Sequence, residues 1–119
     1  MLSTHVEKIG EMVIIECRGR IVQDDAAFKL RKAVVSQLGA RIIVIDLTEV
    51  HAIEGSGLGM LSALQIWASD QHIQLMLFGP TPSVRNRLEH NDPVKFRIAP
   101  FGEMVALLAG EEPPVFRAA

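Results

Sequence analysis

The pattern of apolar and polar positions changes character around residue 55. Ile42, Ile43, Val44 and Ile45 run unbroken between Arg41 and Asp46. A continuous β-branched run of this kind fits a strand buried on both faces, as in a parallel sheet, and predicts the central strand over 41–46. Further on, Leu58, Leu61, Leu64 and Ala68 recur at helical spacing, and Ser62, Gln65 and Ser69 fall on the opposite side. Between the two patterns lies Glu54-Gly55-Ser56-Gly57-Leu58-Gly59, where glycines at alternate positions allow a tight turn and close approach to the backbone. Ser56 stands where the helix must begin, with a hydroxyl suited to capping its unpaired amides. Met60, Ala63, Ile66 and Trp67 widen the apolar arc of the helix beyond one core stripe. Part of that arc is therefore expected to face a partner.

The remaining elements follow from the same periodicities. Thr4 to Ile9 and Met12 to Arg18 read as strands joined through Gly10-Glu11, with Val13, Ile15 and Cys17 on one face. Ala27, Leu30, Val34 and Leu38 predict a first helix, capped by Asp24 or Asp25 and stopped by Gly39. Ile73 to Phe78 predicts a strand parallel to the central one, since strand, helix and strand in succession favour a crossover connection. After Gly79-Pro80-Thr81-Pro82, a short helix over 83–90 turns Val84 and Leu88 inward and Arg85, Arg87 and Glu89 outward. A brief strand over 96–98 and a helix from about Gly102 to Leu108 complete the series. Together these make one α/β domain over 1–110, a mixed, mostly parallel sheet of about five strands flanked by about four helices. Residues 111–119 read as a loose tail in which Val115 and Phe116 are suited to latch onto a neighbour.

Composition narrows the choices. At 119 residues, 49% apolar and 22% charged, the chain can bury a core without disulfides or metal. Its apolar runs are too short for a bilayer, and the start Met1-Leu2-Ser3-Thr4-His5 lacks the features of a signal peptide, so a soluble cytoplasmic protein is expected. A net charge of −2 with scattered Lys and Arg leaves no footprint for nucleic acid. Cys17, the single cysteine, alternates with Val and Ile and reads as a small core residue.

Enzyme chemistry fails on single residues. His5, His51, His72 and His90 show no ligand spacing, so no metal is expected. The dinucleotide fingerprint needs a small residue where Met60 stands, a phosphate-binding loop needs a lysine that is absent, and a hydrolase elbow needs glycine where Glu54 stands. The chain carries no catalytic set and calls for no cofactor. What is left is a hydroxyl, Ser56, on an exposed turn at a helix start. Phosphate there would be favoured by free amides and the helix dipole, yet would add two negative charges beside Glu54 and across a partner surface.

The central stretch resembles the STAS domain family, the sulfate transporter and anti-sigma factor antagonist domains. The matching residues are Ile45-Asp46-Leu47-Thr48-Glu49-Val50, then Ile53-Glu54-Gly55-Ser56-Gly57-Leu58-Gly59 and Leu61. Gly19, Ile21, Leu30, Leu77, Gly79, Pro82 and Val84 match the family's other landmarks, so the resemblance extends over most of the chain. It implies a STAS-like fold and a protein interaction module of the anti-sigma factor antagonist type. Such a module binds an anti-sigma factor or serine kinase partner and is switched by serine phosphorylation in this turn. The family's usual acceptor is the first of the two small residues, here Gly55; Ser56 occupies the second and is the candidate acceptor, and Glu54 replaces the family's aspartate. An aspartate that the family carries near the turn corresponds to Asp24 or Asp25. The partner surface expected is then Asp24, Asp25, Glu54, Gly55, Ser56, Gly57, Leu58, Met60, Ala63, Ile66 and Trp67. Two alternatives stay open: an unphosphorylated scaffold or accessory subunit of a stressosome-like or transporter assembly, and a small anion or nucleotide held by the glycine turn. Homodimerisation is left open as well.

Overall fold

The computed structural model describes residues 2–21, 24–53, 55–90 and 96–110, with only the backbone of Asp24 and Asp25. Its elements are β1 (Leu2–Ile9), β2 (Met12–Ile21), α1 (Asp24–Val35), β3 (Ile42–Ile53), α2 (Ser56–Asp70), β4 (Gln74–Phe78), α3 (Pro82–Glu89), β5 (Ile98–Ala99) and α4 (Phe101–Leu108). The five strands lie in sequence order in one sheet. β1 pairs antiparallel with β2 through the turn at Gly10-Glu11, and the remaining pairings are parallel. The expected parallel crossover is present, with Ile42 opposite Gln74 and Asp46 opposite Phe78.

Alternation along the strands divides the core in two. Val13, Ile15 and Cys17 of β2, Ile43, Ile45 and Leu47 of β3, and Leu75 and Leu77 of β4 face Leu30 and Val34 of α1, Leu61, Leu64 and Ala68 of α2, and Val84 and Leu88 of α3. The opposite face carries Met12, Ile14, Ile42, Val44, Met76 and Ala99 against Met104 and Leu107 of α4. β3 is apolar over 42–45 because both of its faces are covered, which is the condition that suits a β-branched run.

Several boundaries differ from the sequence expectation: β1 begins at Leu2 and β2 runs on to Ile21. The central strand runs on to Ile53, well past Asp46. Asp46 Oδ1 accepts bonds from the Thr48 amide at 2.9 Å and the Thr48 hydroxyl at 2.7 Å. The register with β2 shifts between Glu16 and Arg18 and again between Gly19 and Arg20, so β3 absorbs extra residues as irregularities and continues. Thr48 also explains Gly79, where a Cβ would run into the Thr48 methyl. The first helix ends at Val35, and Leu38 is exposed, outside the stripe it was expected to extend. Ser36 Oγ donates to the Lys32 carbonyl at 2.6 Å and the Gln37 amide to Val34, which tightens the last turn and turns the chain away. The fifth strand is only Ile98–Ala99, and α4 begins at Phe101. The expected tail 111–119 lies outside the described residues.

Candidate functional site

β3 delivers the chain to the start of α2 at one end of the sheet. There the N-cap is Gly55, with φ 59° and ψ −128°, and no side chain caps the helix. Ser56 is thus the first helical residue and does not cap, contrary to the sequence expectation. The reason is the backbone at Gly55: its conformation is open to glycine and strained for any residue with a Cβ, so the turn is made one residue earlier. Ser56 is left exposed at a helix start whose first amides have no side-chain cap among the described residues.

The other two glycines have different surroundings. A Cβ on Gly57 would collide with the Ile21 carbonyl and side chain, so this glycine lets α2 seat against the end of β2. A Cβ on Gly59 would meet nothing within 4 Å. Gly59 is exposed inside a helix, where glycine costs about 0.5–1 kcal/mol relative to alanine, and nothing within the described chain requires it.

Among the apolar residues expected to anchor a partner, the structure separates core from surface. Met60 is 9% exposed and belongs to the core, and Trp67 is half-buried and packed against it. Leu58 is half-buried as well. Ala63 is exposed, and Ile66 retains 55% exposure. The outward line of α2 is therefore Ser56, Gly59, Ala63 and Ile66. The polar residues expected opposite the core sit elsewhere: Ser62 and Gln65 are half-buried on one flank, and Ser62 Oγ bonds the Leu58 carbonyl at 3.2 Å. Asp24 and Asp25 lie in the first turn of α1, and their side chains are outside the described set, as is Glu54.

The outward line carries no titratable group until Asp70, and α2 has no acidic residue in its first turn. Among the described residues the one displaced titration is remote: burial, reinforced by the charge of Asp46, pushes the Cys17 thiol up to about 12. Cys17 faces the core at 2% exposure and is inert as a nucleophile or ligand. Among the described residues, no three His, Cys, Asp or Glu side chains gather to hold a metal ion.

The STAS domain family model matches residues 3–99. The chain belongs to the STAS domain family. Solved structures agree in fold: an anti-sigma factor antagonist from Mycobacterium paratuberculosis superposes with a TM-score of 0.73 at 17% identity, over 92% of this chain and 95% of the other. SpoIIAA of Bacillus, an anti-sigma factor antagonist in its unphosphorylated form, gives 0.68 at 14% identity over 91% and 98%. RsbS from Moorella thermoacetica, carrying a serine-to-glutamate substitution, gives 0.67 at 11% identity over 90% and 95%. No protein of curated function matches the sequence. None of the described helices of this STAS domain is long and apolar enough to cross a membrane.

Two features of the STAS domain escaped the sequence pattern. Thr81 is the N-cap of α3, with Pro82 at the first helical position, and its side chain accepts from the Val84 amide at 3.4 Å. Threonine before proline at a helix start is a legible signal that the proline-rich turn obscured. The other is an apolar line on α4, Phe101, Val105 and Leu108, exposed at 74%, 49% and 51%.

Proposed function

We propose that this STAS domain is a protein interaction module that holds an anti-sigma factor or serine kinase type of partner against the start and outward face of α2. The observation that carries this reading is Gly59. It is exposed and costs helix stability, a Cβ in its place would meet nothing within 4 Å, and it lies between exposed Ser56 and Ala63 with Ile66 one turn further. Small side chains followed by one apolar anchor let another backbone approach closely and give it something to bury. Membership of the STAS family, and a fold shared with anti-sigma factor antagonists, support the choice of partner class.

Binding of the purified domain to ATP-binding anti-sigma kinases, followed by calorimetry, tests the proposal. Ile66→Glu and Gly59→Arg are expected to abolish a complex that Leu38→Glu, on exposed surface outside α2, leaves intact. No complex with any such partner, or one indifferent to both α2 substitutions, would overturn it.

Ser56 is the acceptor we infer for regulation. A phosphate on its hydroxyl sits among uncapped amides at a helix start and inside the docking line, so it is stabilised in the free domain and repelled in the complex. Ser56→Asp should weaken binding while Ser56→Ala preserves it. A second reading, an unswitched scaffold or accessory subunit, is favoured by Gly55, which puts a glycine-specific backbone where the family's acceptor hydroxyl stands. Equal binding by Ser56→Asp and wild type, with intact Ser56 in protein recovered from cells, would select it.

A further inference from the structure

β1 forms one edge of the sheet, and among the described residues no strand pairs with its outer side. The opposite edge, β5, is only two residues long. β1 keeps an unbroken register with β2 over all eight of its residues, so no bulge twists this edge away from a neighbour. Gly10 has φ +60° at the first position of a two-residue turn, which fits a type II′ hairpin and makes Ile9 and Met12 a hydrogen-bonded pair. Alternation from that pair points the backbone groups of Glu7, His5 and Ser3 toward β2, and those of Lys8, Val6, Thr4 and Leu2 outward. Lys29 Nζ meets the Leu2 carbonyl there at 3.1 Å, in keeping with that alternation, and Thr4, Val6 and Lys8 are left without a partner strand among the described residues. Val6 and Ile9 are 36% and 37% exposed, and His5, Glu7 and Lys8 are exposed beside them.

From this we infer that two copies of the chain pair antiparallel through β1, with Val6 of each on the two-fold axis, to make one continuous sheet. Symmetry and charge select that register. A two-fold axis normal to the sheet keeps the α4 side of both copies together, so a residue on that side meets only residues on that side. Ser3, His5, Glu7 and Ile9 stand on it, opposite Arg18, Glu16, Ile14 and Met12 of β2, while Thr4, Val6 and Lys8 stand on the α1 side. With Val6 on the axis, each Glu7 carboxylate lies across from the His5 imidazole of the other copy, and each Lys8 across from the other Thr4. The outward backbone groups of Thr4, Val6 and Lys8 then all find ladder partners. Moving the axis to Glu7 sets carboxylate against carboxylate. Moving it to His5 sets imidazole against imidazole and Lys8 against Leu2, whose carbonyl Lys29 already holds. A single strand edge buries less than the roughly 800 Å² per partner of a standard interface, so backbone pairing supplies most of the affinity and the dimer is expected to depend on concentration.

The test uses the full chain. Sedimentation from micromolar to millimolar concentration is expected to show a monomer–dimer equilibrium, and a mixture of isotope-labelled and unlabelled protein to give a contact between the Hα of His5 in one copy and of Glu7 in the other. Val6→Pro removes an outward amide and no bond to β2, so it should abolish the dimer while the His5 and Glu7 amides stay protected from exchange. Glu7→Lys should weaken association about tenfold, and His5→Glu combined with Glu7→Lys should restore it by reversing both charges. A chain still monomeric at millimolar concentration, a dimer that survives both Val6→Pro and Glu7→Lys, or a dimer lost in Phe101→Glu would each overturn the inference.

Discussion

Gly57 and Gly59 stand two residues apart in one helix and are expected to respond to alanine with opposite signs. At Gly57 the new methyl meets the Ile21 carbonyl, a backbone atom that cannot rotate away, so Gly57→Ala should destabilise by on the order of 3 kcal/mol. At Gly59 the methyl enters open space and removes a glycine from a helix, so Gly59→Ala should stabilise by about 0.5–1 kcal/mol. Urea unfolding of the two variants measures both. Cys17 supplies a pH dependence. Its thiol ionises near 9.0 in an unfolded chain and near 12 in the fold, so between these values the folded state holds the extra proton. The contribution is complete below pH 9 and is lost as pH rises toward 12, at up to about 1.4 kcal/mol per pH unit. Cys17→Ala should flatten that decline, read from urea midpoints across pH 8–11. The sequence alone showed that Cys17 is core and that the glycines matter. It did not show that Gly55 and Ser56 divide the roles of cap and first helical residue, because that depends on a φ angle.

Helix α3 is the element whose stability rests most on its ends. It spans eight residues, buries only Val84 and Leu88, and turns Arg85, Arg87 and Glu89 outward. So short a helix gains little from propensity, and its Thr81 cap and Pro82 start carry a correspondingly larger share. Thr81→Ala is expected to cost about 1 kcal/mol, at the lower end for a cap because its bond to the Val84 amide is long at 3.4 Å. Amide exchange over residues 84–89 should accelerate more than exchange in β3. Element types followed from the apolar spacing throughout. Lengths did not: β3 passes Asp46 because Asp46 bonds Thr48 within the strand, and α1 stops before Leu38 because Ser36 bonds back to Lys32. Both devices are polar side chains acting on nearby backbone or on each other, which a hydrophobic period does not register.

Across the whole molecule, the two sides of the sheet are dressed unequally. Among the described residues, α1, α2 and α3 contribute to the core on one side, and α4 alone among the helices to that on the other. The fold was legible because each strand and crossover leaves its own periodic trace, and the mostly parallel order follows from connections too long for hairpins. Which residues of α2 stay exposed was only partly legible, since Met60 and Ala63 look alike as apolar helical residues and packing alone sends one inward and leaves the other out. The placement of α2 and α4 on opposite sides of the sheet has a consequence for larger assemblies. A partner held at the proposed α2 surface and cargo joined after α4 would start from opposite faces of the sheet, as in a two-sided connector. A fluorescent protein fused there should leave partner affinity within about twofold, a change worth about 0.4 kcal/mol, whereas an insertion at Gln71-His72, where α2 ends, should block the partner.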